Sequence, residues 1–376
     1  MALAGSPRVS KRERKLSSSA YVEGILKGDR SVLARAITLI ESSLTEDRQI
    51  ADEVLAKCLP ASGKSIRAGV TGIPGAGKSS LIESLGKHLI SERREKVAVL
   101  AIDPSSPLSG GSILGDKTRM TFLASSDMAF IRPSPSRGAR GGVAQNSRDA
   151  ILLCEAAGFR NILVETVGVG QSEVAVRGMV DFLMLVTLAG AGDELQGIKR
   201  GVMELADLVV VNKADGDNIS SAERARTEAA SALHLLAASP SGWTPRAMTC
   251  SAHTDRGVAD LWSCILEHAA ITKANGWFER TRREQARRSM HDHIELGLQQ
   301  MFRMHPAVQQ RLSELEERVL AGSMTTACAV RELLGLFASN RAPRQSESSF
   351  FARCTAHPLR LHRYGRAIQT SERRSR

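Results

Sequence analysis

The chain has 376 residues, of which 42% are hydrophobic and 24% charged, a composition typical of a globular protein with two or three domains. Aromatic residues make up only 4%, which argues against a surface that stacks nucleobases, and no apolar run reaches the roughly 20 residues of a membrane-spanning helix. The net charge of +11 is concentrated after residue 340, where nine arginines outnumber two glutamates, so it says little about the body of the chain.

The chain begins with a basic, serine-rich arm over residues 1–20, which we expect to be disordered. It lacks the apolar stretch of a secretory signal, although a mitochondrial presequence has the same composition. Six scattered cysteines without a C-x-x-C pair argue against a zinc site or a disulfide framework and favour a reducing compartment. We therefore expect a cytoplasmic protein, or one of the mitochondrial matrix if the source is eukaryotic.

Helical and strand-like patterns then follow one another. Residues 21–62 carry apolar positions at three- and four-residue spacing, which predicts an N-terminal helical extension. Between residues 63 and 266, helical stretches alternate with apolar runs that begin at Ile66, Lys96, Met128, Asn161, Asp181, Asp207 and Arg246. This alternation predicts an α/β fold with a mostly parallel sheet flanked by helices. Residues 267–338 are helical again, and residues 339–376 form a basic tail that we expect to be disordered.

The first predicted strand runs into an eight-residue phosphate loop that fits the pattern G-x-x-x-x-G-K-S/T. Its glycines let backbone N–H groups converge on an anion, its lysine pairs with the β- and γ-phosphates, and its hydroxyl can ligate Mg²⁺. A chance match is the alternative, but the position between a buried strand and a helix disfavours it. We expect nucleotide contacts from Gly72, Ile73, Pro74, Gly75, Ala76, Gly77, Lys78, Ser79 and Ser80, with Lys78 also catalytic.

Two later segments select the base. Asn212, Lys213 and Asp215 follow the sixth strand in an N-K-x-D pattern. An aspartate there can accept hydrogen bonds from the guanine N1–H and amino group, which adenine does not offer. Backbone N–H groups after the seventh strand can meet the guanine carbonyl oxygen. The candidates there are Ser251, Ala252 and His253. Each segment is weak alone, but their order at the carboxyl ends of strands predicts GTP.

Acidic residues at strand ends suggest a metal site. The candidates are Asp103, Asp116 and Glu165. With the Ser79 hydroxyl they can hold Mg²⁺ directly or through its waters, whereas a loop cap or a surface carboxylate is the alternative for each acid alone. Gly168, in an E-x-x-G pattern, can sense the γ-phosphate through its N–H. Gln171 is a candidate for orienting the attacking water.

Together these segments resemble the MeaB/ArgK/MMAA family of the SIMIBI class of P-loop GTPases, over roughly residues 21–338. The resemblance is carried by GIPGAGKSSLIESLG, AIDPSSPLSGGSILGDKTRM, FIRPSPSRG, ETVGVGQSE, LAGAGDELQGIKRG and NKAD. It implies a Mg²⁺-dependent GTP hydrolase, slow alone and stimulated by its partner. That partner would be an adenosylcobalamin-dependent acyl-CoA mutase of the methylmalonyl-CoA type, whose cofactor loading and protection the GTPase gates as a chaperone.

The resemblance also implies a homodimer made through the C-terminal helices. It places Mg²⁺ around Ser79, Asp103, Asp116 and Glu165, with Asp103 also catalytic. It implies a third switch that responds to the mutase, with Asp193 and Lys199 as its active members. The chain departs from the family pattern at three places. These are Ser80, Ala139-Arg140 and residues 253–257, where a small glycine-rich turn is usual.

Three other functions were weighed against the GTPase switch. A kinase stays open because some relatives carry an old label linking them to phosphorylation, although no residue marks a phosphate acceptor. Nucleic-acid binding would depend on the basic tail alone. A nickel or zinc chaperone fits worse, since the only tight histidine pair, His291 and His293, points to opposite sides of a helix.

Overall fold

Seven parallel strands form one sheet among the residues that the computed structural model describes, which are 15–42, 44–102, 120–133, 143–166, 172–190, 200–236 and 239–339. The strands are β1 (Ile66–Gly72), β2 (Val97–Ile102), β3 (Ala129–Arg132), β4 (Asn161–Thr166), β5 (Phe182–Leu188), β6 (Leu208–Asn212) and β7 (Arg246–Thr249). They lie in the order β3-β2-β4-β1-β5-β6-β7, so β1 is central. Each strand coincides with one of the apolar runs, which confirms the expected α/β class.

Helices connect the strands and flank the sheet, and further helices follow in the C-terminal region. In chain order they are α1 (Ser18–Leu26), α2 (Arg30–Ile40), α3 (Thr45–Cys58), α4 (Lys78–Ser91), α5 (Thr121–Ser125), α6 (Val143–Ala156), α7 (Ser172–Arg177), α8 (Arg200–Met203), α9 (Ile219–His234), α10 (Val258–Ala274), α11 (Trp277–Arg303), α12 (Pro306–Leu320) and α13 (Thr326–Ser339). Side-chain caps fix where the first two begin. The Ser17 hydroxyl accepts from Ala20 N at 3.2 Å, and Asp29 accepts from Ser31 N at 2.8 Å.

Alternate side chains of β2 enter two different apolar cores. Val97 and Val99 pack on the face covered by α4 and α10, whereas Ala98 and Leu100 pack on the face covered by α1, α2, α3 and α6. Burial of one such side chain contributes about 1.5–3 kcal/mol for the larger residues, so both faces favour apolar positions. This explains why β2 is continuously apolar and does not alternate with polar residues.

A buried ion pair closes the amino-terminal edge of the sheet. Arg282 of α11 donates from Nε and Nη2 to the two carboxylate oxygens of Asp181, at 2.7 Å each. The same guanidinium donates to the carbonyl oxygens of Gly63 and Ser65, also at 2.7 Å. Asp181 further accepts from Arg67 N at 2.8 Å. These bonds tie the segment before β1 and the start of β5 to one helix.

The chain divides into two compact units, Met1–Leu296 and Gly297–Arg376. In the second unit, α12 and α13 pack through a small apolar cluster made of Val308, Leu315, Ala329 and Leu333. No helix within the described ranges is both long and apolar enough to cross a membrane. Most of the predicted arm, up to residue 14, and the tail from residue 340 lie outside the described residues.

Candidate functional site

The phosphate loop joins the end of β1 to the start of α4, and two of its glycines are required by close contacts. Gly72 has a φ of +142°, and a Cβ there would lie 1.9 Å from the carbonyl oxygen of Val186 in β5. Gly77 has a φ of +84°, and a Cβ there would lie 2.7 Å from Asn212 Nδ2. Any other residue would displace backbone or a buried amide, so the motif glycines set how tightly the loop packs on its neighbours.

Lys78 is the first residue of α4 and its side chain turns back into the loop. Its Nζ donates to the carbonyl oxygens of Gly72 at 2.9 Å and Ile73 at 3.1 Å. Only 8% of the residue is exposed. Its positive charge is therefore held within the concave side of the loop, next to the amino end of a helix whose dipole also favours an anion.

A cavity of about 480 Å³ opens beside this loop. Its lining combines the loop with the carboxyl ends of neighbouring strands. The residues are Pro74, Gly75, Gly77, Lys78, Ser79, Ser80, Ala101, Glu165, Thr166 and Lys213. Sequence reasoning missed Ala101 and Thr166. Both lie near the ends of strands on the β4 side of β1, and only the strand order reveals that they reach the cavity.

A hydroxyl and a carboxylate meet at the floor of this cavity. Ser79 Oγ donates to Glu165 Oε1 at 2.8 Å, because β4 lies directly beside β1 in the sheet. A serine hydroxyl has one proton and two lone pairs, so it can donate to Glu165 and still offer oxygen to a cation. Mg²⁺ is usually held by few protein oxygens together with waters and phosphates, and this donor set fits it.

Six predicted site residues lie outside the described part of the chain. They are Asp103, Asp116, Gly168, Gln171, Asp193 and Lys199. Their metal, switch and catalytic roles stay predictions. Among the residues that are described, no group of three His, Cys, Asp or Glu side chains converges as a metal cluster.

Asn212 lies between the phosphate loop and the loop that follows β7. Its Nδ2 donates to Ala76 O at 2.8 Å, and its Oδ1 accepts from Ala252 N at 3.1 Å. Cys250 Sγ lies 3.4 Å from the same oxygen, and burial raises the pKa of that thiol to about 12, so it stays protonated at neutral pH. Asn212 thus connects the phosphate side of the site to the base side.

The remaining residues of the N-K-x-D pattern lie on the same edge of the sheet. Lys213 lines the cavity and has a φ of +60°, a conformation supported by a 2.7 Å bond from Asn218 Nδ2 to its carbonyl oxygen. The half-buried Asp215 carboxylate accepts from the Ser251 hydroxyl. The structure therefore places the two predicted guanine-side segments in direct contact, with the exposed His253 at the outer end.

Comparisons with known proteins show which family the sequence resembles. The profile of the family described as "Methylmalonyl Co-A mutase-associated GTPase MeaB" matches residues 33–307. The chain is 48% identical to the GTPase ArgK of Escherichia coli over 265 residues, which cover 70% of this chain and 80% of that protein. It is 42% identical over 341 residues to "Methylmalonic aciduria type A homolog, mitochondrial" of Mus musculus, covering 88% and 82%.

A solved structure shares the fold as well. The protein described as "LAO/AO transport system kinase" is 35% identical, with a TM-score of 0.67, and the match covers 85% of this chain and 97% of that one. The parallel sheet, the phosphate loop and the loop after β7 lie within residues 33–307, which the family profile matches.

Proposed function

Because the chain belongs to the MeaB family of methylmalonyl-CoA mutase-associated GTPases, we propose that it gates the loading and protection of adenosylcobalamin in an acyl-CoA mutase of that type. The chain itself is a P-loop GTPase of the SIMIBI class. The observation that supports the proposal most is the meeting of a phosphate loop, a hydroxyl–carboxylate pair and an N-K-x-D loop at one sheet edge.

In this proposal the phosphate-side residues bind and orient the nucleotide. The loop N–H groups and the Lys78 ammonium hold the β- and γ-phosphates. Ser79 and Glu165 hold Mg²⁺, which when bound neutralises phosphate charge. Asp103 and Asp116 complete the metal site, and Gln171 orients water. Gly168 reads the γ-phosphate, so that the loop after β4 changes when that phosphate leaves.

The base-side residues select guanine. The Asp215 carboxylate accepts from the base N1–H and amino group, and its position is set by the Ser251 hydroxyl. The Ala252 N–H already donates to Asn212. We therefore assign the next N–H, that of His253, to the guanine carbonyl oxygen.

The partner and the assembly complete the proposal. Asp193 and Lys199 form the switch that responds to the mutase and accelerates a slow intrinsic hydrolysis. A homodimer forms through the helices of residues 267–338, which follow the GTPase domain of residues 63–266 and the helical extension of residues 21–62. Support comes from the second unit, where several large apolar side chains are at least 47% exposed and therefore available to pack against a second copy. These are Leu298, Met301, Met304, Leu320, Val330 and Leu334.

The location follows from the proposed partner. The relatives include a bacterial GTPase and a mitochondrial protein. We propose that the chain acts in the cytoplasm, or in the mitochondrial matrix of a eukaryote, where the mutase would be its neighbour.

The test is retention of the host's cobalamin-dependent mutases on the immobilised protein with GTP, GDP or a non-hydrolysable GTP analogue. We expect retention to differ between the GTP-like and GDP states, and the purified mutase to raise the GTPase rate. Equal retention in all three states, or no retention, would contradict gating. Lys78→Ala, which removes the phosphate-binding charge, should abolish the dependence on nucleotide.

A kinase is the second candidate, because the solved relative described above carries a kinase name. Incubation with γ-labelled GTP and, separately, ATP distinguishes the two. Label released as inorganic phosphate from GTP supports the GTPase switch. Label that appears on an added amino-acid-binding protein supports the kinase.

A further inference from the structure

The loop between β7 and α10 is held from outside by a neighbouring helix. The loop closes on itself where Ser251 N donates to Arg256 O at 3.0 Å. Gly257, the N-cap of α10, has a φ of +76°, and a Cβ there would lie 2.8 Å from Thr249 O. The turn is therefore tight, and its tip residue is Asp255, which adopts a φ of +59°. Aspartate is one of the few residues other than glycine that tolerates this conformation.

Two side chains of α4 grip this tip. Ser84 Oγ lies 2.7 Å from Asp255 Oδ1, and Lys87 Nζ donates to Asp255 Oδ2 at 2.8 Å. Hydrogen bonds from Lys87 and from Ser84 hold the pKa of Asp255 below its ordinary range, so the carboxylate is charged at neutral pH. We name Ser84, Lys87 and Asp255 the helix clamp.

The helix clamp also reaches the backbone that faces the base. Ser84 Oγ lies 2.8 Å from Ala252 O, so its one proton is shared between this carbonyl and the Asp255 carboxylate. In a trans peptide the C=O and the following N–H point in opposite directions. A bond that draws Ala252 O towards α4 therefore directs the His253 N–H away from α4.

We propose that the helix clamp positions the Ala252–His253 peptide to read the carbonyl oxygen of guanine. The inference rests on the proposed guanine site and adds its positioning residues. Ala252 is fixed on both sides, by Asn212 Oδ1 at its N–H and by Ser84 at its carbonyl. Because α4 also carries Lys78 and Ser79 at its first turn, one helix sets both the phosphate side and the base side.

Burial predicts which substitution in the helix clamp has the larger effect on nucleotide affinity. Ser84 is 5% exposed, so little water can replace its hydroxyl. Removing that hydroxyl therefore leaves the Ala252 carbonyl oxygen without its hydrogen-bond donor. The Lys87–Asp255 pair is about half exposed, with side-chain exposures of 52% and 46%, and water screens it. We therefore expect Ser84→Ala to lower nucleotide affinity more than Lys87→Met does.

The test compares GDP with two nucleotides that each differ from it at one substituent of the base. Titration calorimetry measures the affinity of the protein for each nucleotide. Inosine diphosphate keeps the carbonyl oxygen of guanine, whereas 6-thio-GDP has a sulfur in its place, which is a poor hydrogen-bond acceptor. Ser84→Ala should lower the affinity for GDP and for inosine diphosphate about five- to tenfold. It should lower the affinity for 6-thio-GDP less than about twofold. Lys87→Met should lower the affinity for GDP about two- to threefold, and Lys87→Arg should keep the affinity of the unaltered protein.

Ser263→Ala is the matched control, since that hydroxyl also lies on a helix but bonds only within its own turn, to Ala259 O at 2.9 Å. It should change no affinity. Equal weakening of all three nucleotides by Ser84→Ala would show that the helix clamp only supports the fold, and an unchanged GDP affinity would also overturn the proposal. If the unaltered protein binds ADP as well as GDP, the guanine site itself is wrong, which is a separate outcome.

Discussion

Replacing Arg282 with methionine should destabilise the first unit strongly, because it leaves the buried Asp181 carboxylate without its positively charged partner. The Arg282 and Asp181 side chains are 15% and 4% exposed, so water screens their pair little. Removing one partner of such a pair costs about 3–5 kcal/mol, since the remaining charge has lost its compensation. Methionine keeps much of the apolar stem. We therefore expect a loss of about 3 kcal/mol and a fall in Tm of roughly 6–12 °C.

Urea unfolding followed by circular dichroism measures this loss. Arg287→Met is the matched control on the same helix, because that arginine is exposed and pairs only with Glu284 one turn earlier. It should leave the urea midpoint unchanged. The double variant Arg282→Met with Asp181→Asn should recover part of the stability, because the stranded charge is gone. A loss for Arg282→Met no larger than that of the control would refute this account of the sheet edge.

Three further predictions concern the site and its supports. Lys78→Ala should abolish GTP binding in equilibrium dialysis, and an unchanged affinity would defeat the phosphate-loop assignment. Gly77→Ala should weaken GDP binding at least about tenfold, because φ is +84° and the new Cβ would meet Asn212 Nδ2 at 2.7 Å; calorimetry that shows unchanged binding would rule out the required close approach. Burial alone would raise the pKa of Glu155, but the Arg67 guanidinium and hydrogen bonds from Ser65 and Gly63 outweigh it and lower that pKa below the ordinary 4.5. A carboxyl whose folded pKa is lowered stabilises the protein above its unfolded pKa and loses that contribution as the pH falls through the folded value. Chemical denaturation between pH 6 and pH 3, a range that starts above the ordinary pKa of 4.5 and ends below it, should therefore show a steeper loss of stability than in Arg67→Met.

Local sequence patterns predicted the strands and the phosphate loop because each is encoded in consecutive residues. The run from Val97 is apolar on both faces of one strand, and the phosphate loop has its glycines and lysine at fixed spacing. Local sequence does not show which elements lie next to one another. Thr166 reaches the cavity only because β4 lies beside β1, and Asp255 meets Ser84 across 171 positions of sequence. No local periodicity records such pairings.

Asn212 shows the same limit within a motif that the sequence itself identifies. The N-K-x-D pattern predicts a residue near the base, and the structure places Asn212 between the phosphate loop and the loop after β7. Its bonds to Ala76 and Ala252 join two loops that are far apart in sequence, and no spacing rule predicted them. The third switch was inferred from resemblance, and Asp103 and Asp116 were proposed as metal ligands from their place in the chain. These residues lie outside the described ranges, and their roles stay predictions.

The central position of β1 has a consequence for how the protein is made. Ile66 pairs with Asn161 and Ala68 with Phe182, so the second partner of β1 is synthesised 114 residues after it. At about 5–20 residues per second, the ribosome leaves β1 unpaired on that side for roughly 6–23 seconds. The phosphate loop continues from β1 and packs against Val186. We expect fragments that end before Phe182 to be lost from a GTP resin and fragments that reach Leu296 to be retained, so that nucleotide binding marks completion of the sheet.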